Sequence, residues 1–276
     1  MKQYRFVSIT IILFLAAGSP AYADEAQSDP DIAKLQERVS DGEAQAEFEL
    51  GLKYRYGIDV QKDAAKAIEL YQKAAEQGQA EAEFQLSDMY NMGEGVLKDK
   101  VKAAEWNRKA AEQGLADAQE IVGLQYFSGN VVPKDFVEGT KWIRKAAEQG
   151  QPEAQHFLSV NYALGRGVPK DLGESVKWNR KAAQQGFKKA ELSMGEAYHE
   201  GIGGTPKDDI HAYMWTSLAV AQSKDDIHQG FVWTAQDIKE AGELLRLLEA
   251  TMSPAQITEA RRLAADWHPA QSIPSK

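Results

Sequence analysis

Histidines are the first residues to question for chemistry, and there are five: His156, His199, His211, His228 and His268. No two lie three or four residues apart, so no helix face offers paired imidazoles to a metal ion. The chain has no cysteine, hence no thiolate nucleophile and no disulfide. It also lacks a Gly-x-Ser-x-Gly elbow and a phosphate-binding loop. Gly201-Ile202-Gly203-Gly204 is rich in glycine, but it falls at an ordinary turn. Carboxylates are abundant, and none is set apart by spacing. These residues predict a non-enzyme with no cofactor and no metal.

Aromatic residues recur instead. Trp106, Trp142 and Trp178 are 36 residues apart. Such a ladder could stack sugar rings, which keeps a carbohydrate- or peptidoglycan-associated role open. Each tryptophan lies between small residues, mostly alanines, on one helical face, however, and that placement predicts core. Lys109…Glu112 and Lys145…Glu148, spaced i, i+3, are expected as solvated helix-face pairs.

Two further columns hold candidate contact residues. One is polar in every copy: Glu47, Glu83, Gln119, Gln155 and Glu191. The other changes freely: Arg55, Asn91, Phe127, Ala163 and His199. Variation within a fixed frame suits a binding surface.

The frame itself is a repeat. Ala-Ala-Glu-Gln-Gly occurs at 74–78, 110–114 and 146–150, and Ala-Ala-Gln-Gln-Gly at 182–186. A fixed period of this size marks stacked units that share one core. Tyr54, Tyr90, Tyr126, Tyr162 and Tyr198 keep step, each followed three residues later by glycine. Lys-Asp pairs at 62–63, 98–99, 134–135, 170–171 and 207–208 complete the pattern. The fifth pair is displaced by one residue, which places an insertion within 202–206. Each copy reads as two helices. In the second, Ala82, Leu86, Met89 and Tyr90 form an apolar stripe. Gly93 and Gly95 turn the chain, because glycine tolerates positive φ. Asp99 is placed to cap the next helix, whose inner face holds Ala103, Trp106 and Ala110. The small residue after each Leu position (Gly51, Ser87, Gly123, Ser159, Gly195) is expected to let helices approach closely.

The pattern Ala-x-x-x-Leu-(Gly/Ser)-x-x-Tyr-x-x-Gly, then Lys-Asp, then Ala-x-x-Trp-x-x-Lys-Ala-Ala-x-Gln-Gly resembles the Sel1-like repeats, relatives of the tetratricopeptide repeats. It spans about residues 42–222 in five copies: 42–78, 79–114, 115–150, 151–186 and 187–222. The resemblance implies an all-α, right-handed α/α superhelical solenoid with a concave groove that binds another protein or peptide. It also implies that the polar column, one turn before the small residue, faces that groove. An acidic groove would receive a segment bearing basic groups. Cysteine-rich members carry a Cys pair per repeat; the disulfide-stapled branch does not extend to this chain.

The flanks read as caps. Pro30 is placed at the first position of a helix in 24–41, with Ile32, Leu35 and Val39 apolar. Helices around 234–249, with Ile238, Leu244, Leu245 and Leu248 apolar, and from Ser253-Pro254 to about Trp267 form a C-terminal cap within 223–270. A tail, 271–276, follows. Residues 1–23 read as a signal peptide: Lys2 and Arg5, an apolar run from Phe6 to Ala17, and Ala21-Tyr22-Ala23 before the cut. No membrane span is expected once it is removed. The chain is expected to be exported, most simply to a bacterial periplasm, with secretion as the alternative. Loss of Lys2 and Arg5 shifts the formal charge from −9 to −11. That charge, with no long basic run, argues against nucleic-acid partners. The expected function is an envelope scaffold, with a secreted host-interaction factor as the alternative.

Overall fold

The computed structural model describes residues 30–221 and 234–269. The expected signal peptide, the break at 223–226, His228 and the tail 271–276 lie outside them. The described residues form thirteen α-helices and one 3₁₀ turn, with no strand among them.

The chain divides into two compact units, with the boundary between Asp99 and Lys100. The first holds α1 (Pro30–Ser40), α2 (Ala44–Tyr56), α3 (Ala64–Glu76) and α4 (Ala80–Met92). Consecutive helices pack on one another. Ile32 and Leu35 of α1 are buried, as the apolar edge of that helix predicts, while Val39 is half-buried. Leu35 joins Ala46, Leu50 and Leu70 in one core cluster.

The second unit holds the paired helices α5 (Lys100–Glu112) and α6 (Ala116–Ser128), then α7 (Phe136–Glu148) and α8 (Pro152–Leu164). They are followed by α9 (Leu172–Gln184) and α10 (Lys188–Glu200), the 3₁₀ turn Ile202–Gly204, and α11 (Asp209–Ala221). α12 (Ala235–Thr251) packs on α10 and α11, and α13 (Pro254–Asp266) packs on α11. Both late helices start with a reciprocal cap, Thr234 with Asp237 and Ser253 with Gln256, which satisfies N–H groups the helix cannot. Leu248, Met252 and Ala260 bury against Ala212 and Tyr213. Ile238, expected on the apolar edge, is instead exposed. Its turn of α12 lies beside the contacts of Ala241 with Leu192 and Ala219 rather than within them.

Local chemistry explains the helix ends. The turn glycines Gly57, Gly93, Gly129, Gly165 and Gly201 take left-handed φ between 69° and 76° and end the first helix of each repeat. The N–H of the Lys-Asp aspartate then donates to the carbonyl of the recurring tyrosine: Asp63 to Tyr54, Asp99 to Tyr90, Asp135 to Tyr126, Asp171 to Tyr162 and Asp208 to Tyr198. This bond, 2.9–3.1 Å in all five, closes the loop. The carboxylates of Asp63, Asp135 and Asp171 accept from N–H groups of the helix that follows. Asp208 does the same toward Ile210 and His211. The first four second-helices begin 36 residues apart and α11 begins 37 after α9, so the inserted residue sits in the turn carrying Ile202–Gly204.

Candidate interaction surface

The polar column is enclosed. Glu47, Glu83, Gln119 and Gln155 retain 4–5% of their surface, and Glu191 none. The cause is the small residue one turn on. A Cβ on Gly51 would lie 2.6 Å from the Tyr71 ring, on Gly123 2.7 Å from Ile143, and on Gly195 2.2 Å from the Thr216 hydroxyl. Helices that close shut over the preceding turn. Three of the enclosed groups accept from the motif glutamine: Gln77 donates to Glu47 at 2.8 Å, Gln149 to Gln119 at 2.8 Å and Gln185 to Gln155 at 2.9 Å. Gln119 and Gln155 donate in turn to the carbonyls of Ala111 and Ala147, at 3.1 Å each. Gln149 and Gln185 also reach the carbonyls of Gly114 and Gly150. The expectation that this column lies open in a groove is therefore corrected: it laces one helix pair to the next.

The variable column is mixed. Arg55 is 3% exposed and donates to Glu94 at 3.0 Å and to Gln85. Phe127 lies over Gly139, where a Cβ would come within 2.7 Å of its ring. Its ring centre is 4.9 Å from that of Phe157, edge-on, and 5.3 Å from that of Phe136. His199 meets Asp209 at 2.8 Å. These three fill gaps between neighbouring helices. Asn91 is exposed.

The tryptophans divide. Trp142 and Trp215 are buried, while Trp106 and Trp178 are half-buried. Lys109, Lys145 and Lys181 lie 3.8–3.9 Å from the ring centres of Trp106, Trp142 and Trp178. An ammonium over an indole face is attracted by the ring quadrupole. The expected i, i+3 pairing of Lys109 with Glu112 is thus replaced; Glu112 takes Arg108 at 2.9 Å.

Three histidines, His156, His199 and His211, each have a partner of their own. His211 meets Asp208 at 2.7 Å and stacks on Tyr198. His156 meets Asn179 Oδ1 at 2.9 Å. Asn179 donates its amide to Ala190 O, so its Oδ1 accepts from the Nδ1–H of His156. Burial pushes the His156 pKa below its ordinary value against that hydrogen bond. No group of three metal-binding side chains occurs among the described residues, and none of their helices is long and apolar enough to cross a membrane.

Within the repeats, the large apolar residues left exposed lie at the turns between the two helices. In the first unit the large apolar residues left exposed are Tyr56, Ile58, Met92 and Leu97, all at such turns. In the second unit Val101, Phe136, Val137, Leu164 and Leu172 occupy the corresponding turn positions. Sequence reasoning missed this set, because each residue alone looks like ordinary loop variation. The available signal was its position, within a few residues of the turn glycine or the Lys-Asp pair.

With that geometry described, comparison with known proteins identifies the family. The Sel1 repeat profile matches residues 44–79, 80–115, 116–151, 152–187 and 188–224. The chain belongs to the Sel1 repeat family. It is similar to c5321, a protective antigen of uropathogenic Escherichia coli strains with an SLR fold, at 31% identity and TM-score 0.69. The match covers 85% of this chain and 47% of that one, so the chain spans about half the length of that relative. It is also similar to a Sel1 repeat protein from Oxalobacter formigenes, at 29% identity and TM-score 0.65, covering 78% of this chain and 92% of that one. No curated protein matches the chain.

Proposed function

We propose that the chain is a non-enzymatic protein-binding scaffold, exported across the inner membrane and working in a bacterial cell envelope. Membership of a repeat family whose members generally serve protein–protein contacts supports the class. The carrying observation is the set of turns, where exposed apolar residues recur in both units while the polar column is enclosed within the frame. Apolar residues gathered on one edge mark an interaction site, whereas scattered ones do not. Export rests on residues 1–23. The experiment is in-cell crosslinking with mass spectrometry on envelope fractions. Reproducible crosslinks from lysines of the turns, Lys134 and Lys170 among them, to a second protein are expected. Crosslinks confined to the chain itself reject the scaffold reading.

A second reading keeps the same chemistry in another place. The similar Escherichia coli protein is a protective antigen, which favours a factor exposed to a host. Detection of the chain in culture supernatant, at levels above a periplasmic marker, selects this reading. The carbohydrate reading loses its main support, because Phe127 is packed between Phe136 and Phe157 and the tryptophan faces carry lysines.

A further inference from the structure

Within the second unit a glycine seals two turns onto the helix before them, a threonine joins it at one of these, and a third turn lacks both. At the turn after α8, Gly167 has φ 71°, and a Cβ there would lie 1.9 Å from the carbonyl oxygen of Phe136 at the start of α7. Thr140 of α7 donates to the carbonyl of Arg166 in the same turn at 2.9 Å. At the turn after α10, Gly203 takes the glycine's place, and a Cβ would lie 2.2 Å from the carbonyl of Leu172. At the turn after α6 the corresponding residues are Val131 for the glycine and Ala104 for the threonine. A valine cannot take the left-handed backbone cheaply or lie on a carbonyl, and alanine has no hydroxyl to donate. The notch between α5 and α6 is accordingly open. It is a cavity of about 140 Å³ walled by Val101, Ala104, Val122, Val131 and Val132.

That volume suits one apolar side chain; a cavity of about 150 Å³ lined by aliphatic residues accepts benzene. The charges beside it are uneven. Lys134, Arg166 and Lys170 are exposed, and none has a carboxylate partner among the described residues. The nearby acids are engaged: Asp135 and Asp171 cap helices, Glu138 pairs with Lys141 at 3.0 Å and Glu174 with Lys177 at 2.7 Å. An acidic protein thus presents unneutralised cations along an edge that also exposes Val137, Leu164 and Leu172. Glu105 and Arg108 both line the cavity, and Arg108 is taken by Glu112 at 2.9 Å, so the unpaired cations lie beside the cavity and not at the anchor itself.

We infer that the turn edge of the third and fourth repeats binds an extended protein segment with one aliphatic or phenyl anchor followed by acidic residues. The anchor enters the cavity, and the acidic residues meet Lys134, Arg166 and Lys170. This inference rests on the scaffold reading and names the site and its partner's chemistry. A peptide fits better than an anionic bilayer. Recruitment to such a bilayer uses about four to eight clustered cations, and the net charge of this chain repels it.

The test is fluorescence anisotropy with a labelled peptide carrying one leucine followed by glutamates, against the whole exported chain. Controls replace the leucine with serine or the glutamates with lysines. Ala104→Thr with Val131→Gly grafts the sealing pair of the next repeat onto the open turn. Lys134→Glu, Arg166→Glu and Lys170→Glu together reverse the cations, which make no ion pair among the described residues. Each set, and each control peptide, is expected to weaken binding by about tenfold or more, with thermal unfolding of the triple variant within a few degrees of the parent. Equal affinity for glutamate and lysine peptides overturns the inference. So does binding that survives charge reversal, or preferential binding to phosphatidylglycerol vesicles lost in the same triple variant. If the peptide shows no preference while envelope crosslinks to a second protein persist, this site fails and the scaffold stands.

Discussion

Lys145 over Trp142 and Arg55 beneath Glu94 show how single residues hold the array. Trp142 combines a buried indole with a cation on its face. Replacing it by alanine removes both and leaves a cavity, so Trp142→Ala is expected to cost about 3–5 kcal/mol. Thermal unfolding checks it: the midpoint falls clearly for Trp142→Ala and less for the half-buried Trp106 or Trp178. Arg55→Ala leaves the half-buried Glu94 with Lys62, at 3.1 Å, as its ion-pair partner. Arg55→Ala is expected to cost about 1–3 kcal/mol through its lost charged hydrogen bonds, and Arg55→Met, which keeps the packing, is expected to lose less than Arg55→Ala. Equal midpoints for the two variants assign the loss to the polar contacts, and a parent-like midpoint in Arg55→Met rejects the ion pair as the cause. His156 supplies a pH effect. Its folded pKa is depressed by burial, with Lys189 acting in the same sense and Asp237 against it. The unfolded imidazole takes a proton near pH 6.5, and the folded one only below that. Stability from this site is therefore full above about 6.5 and declines as pH falls through that value. Urea unfolding at pH 7.5 and 5.5 should show a smaller loss in His156→Gln than in the parent; the same loss in both removes His156 as the cause.

At the scale of the element, the helix pair is governed by its glycines and its cap. Gly195 sits where a Cβ meets the Thr216 hydroxyl at 2.2 Å and the Ala212 carbonyl at 3.2 Å. Gly195→Val forces α10 from α11 and is expected to destabilise by about 1–3 kcal/mol or more, read as a lowered unfolding midpoint. Double substitution with Thr216→Ala should recover part of it, and no recovery points to the carbonyl contact instead. Helices, turns and caps were legible because each needs a residue type at a fixed offset: glycine for positive φ, aspartate for free N–H groups, alanine where helices touch. The polar column was legible as a column but not as a location. Glu47 and Gln119 look like surface residues in a linear reading. Only the closeness of two helices at Gly51 and Gly123 encloses them. The lysine ladder was misassigned for a related reason, since Lys109 can reach Trp106 or Glu112 along the same helix face and spacing alone gives both equal reach.

For the molecule as a whole, the proposed export is open to a direct test. Cleavage after Ala23 is expected, so protein recovered from the periplasm should begin at Asp24 on N-terminal sequencing; an intact Met1 in that fraction rejects cleavage. The amino-acid sequence by itself determined the number of repeats, the helix pairs, the turn positions and the family, because a 36-residue period forces every copy to satisfy the same short-range rules of capping and packing. It also located the inserted residue near Ile202, from a single displaced Lys-Asp pair. Tertiary structure alone decided which faces remain for a partner. Burial depends on residues distant in sequence: Gln77 closes over Glu47, Phe157 over Phe127, Gly167 over Phe136. The notch beside Val131 exists because two such long-range closures are missing from one turn, and a period shows what recurs more readily than what one copy lacks.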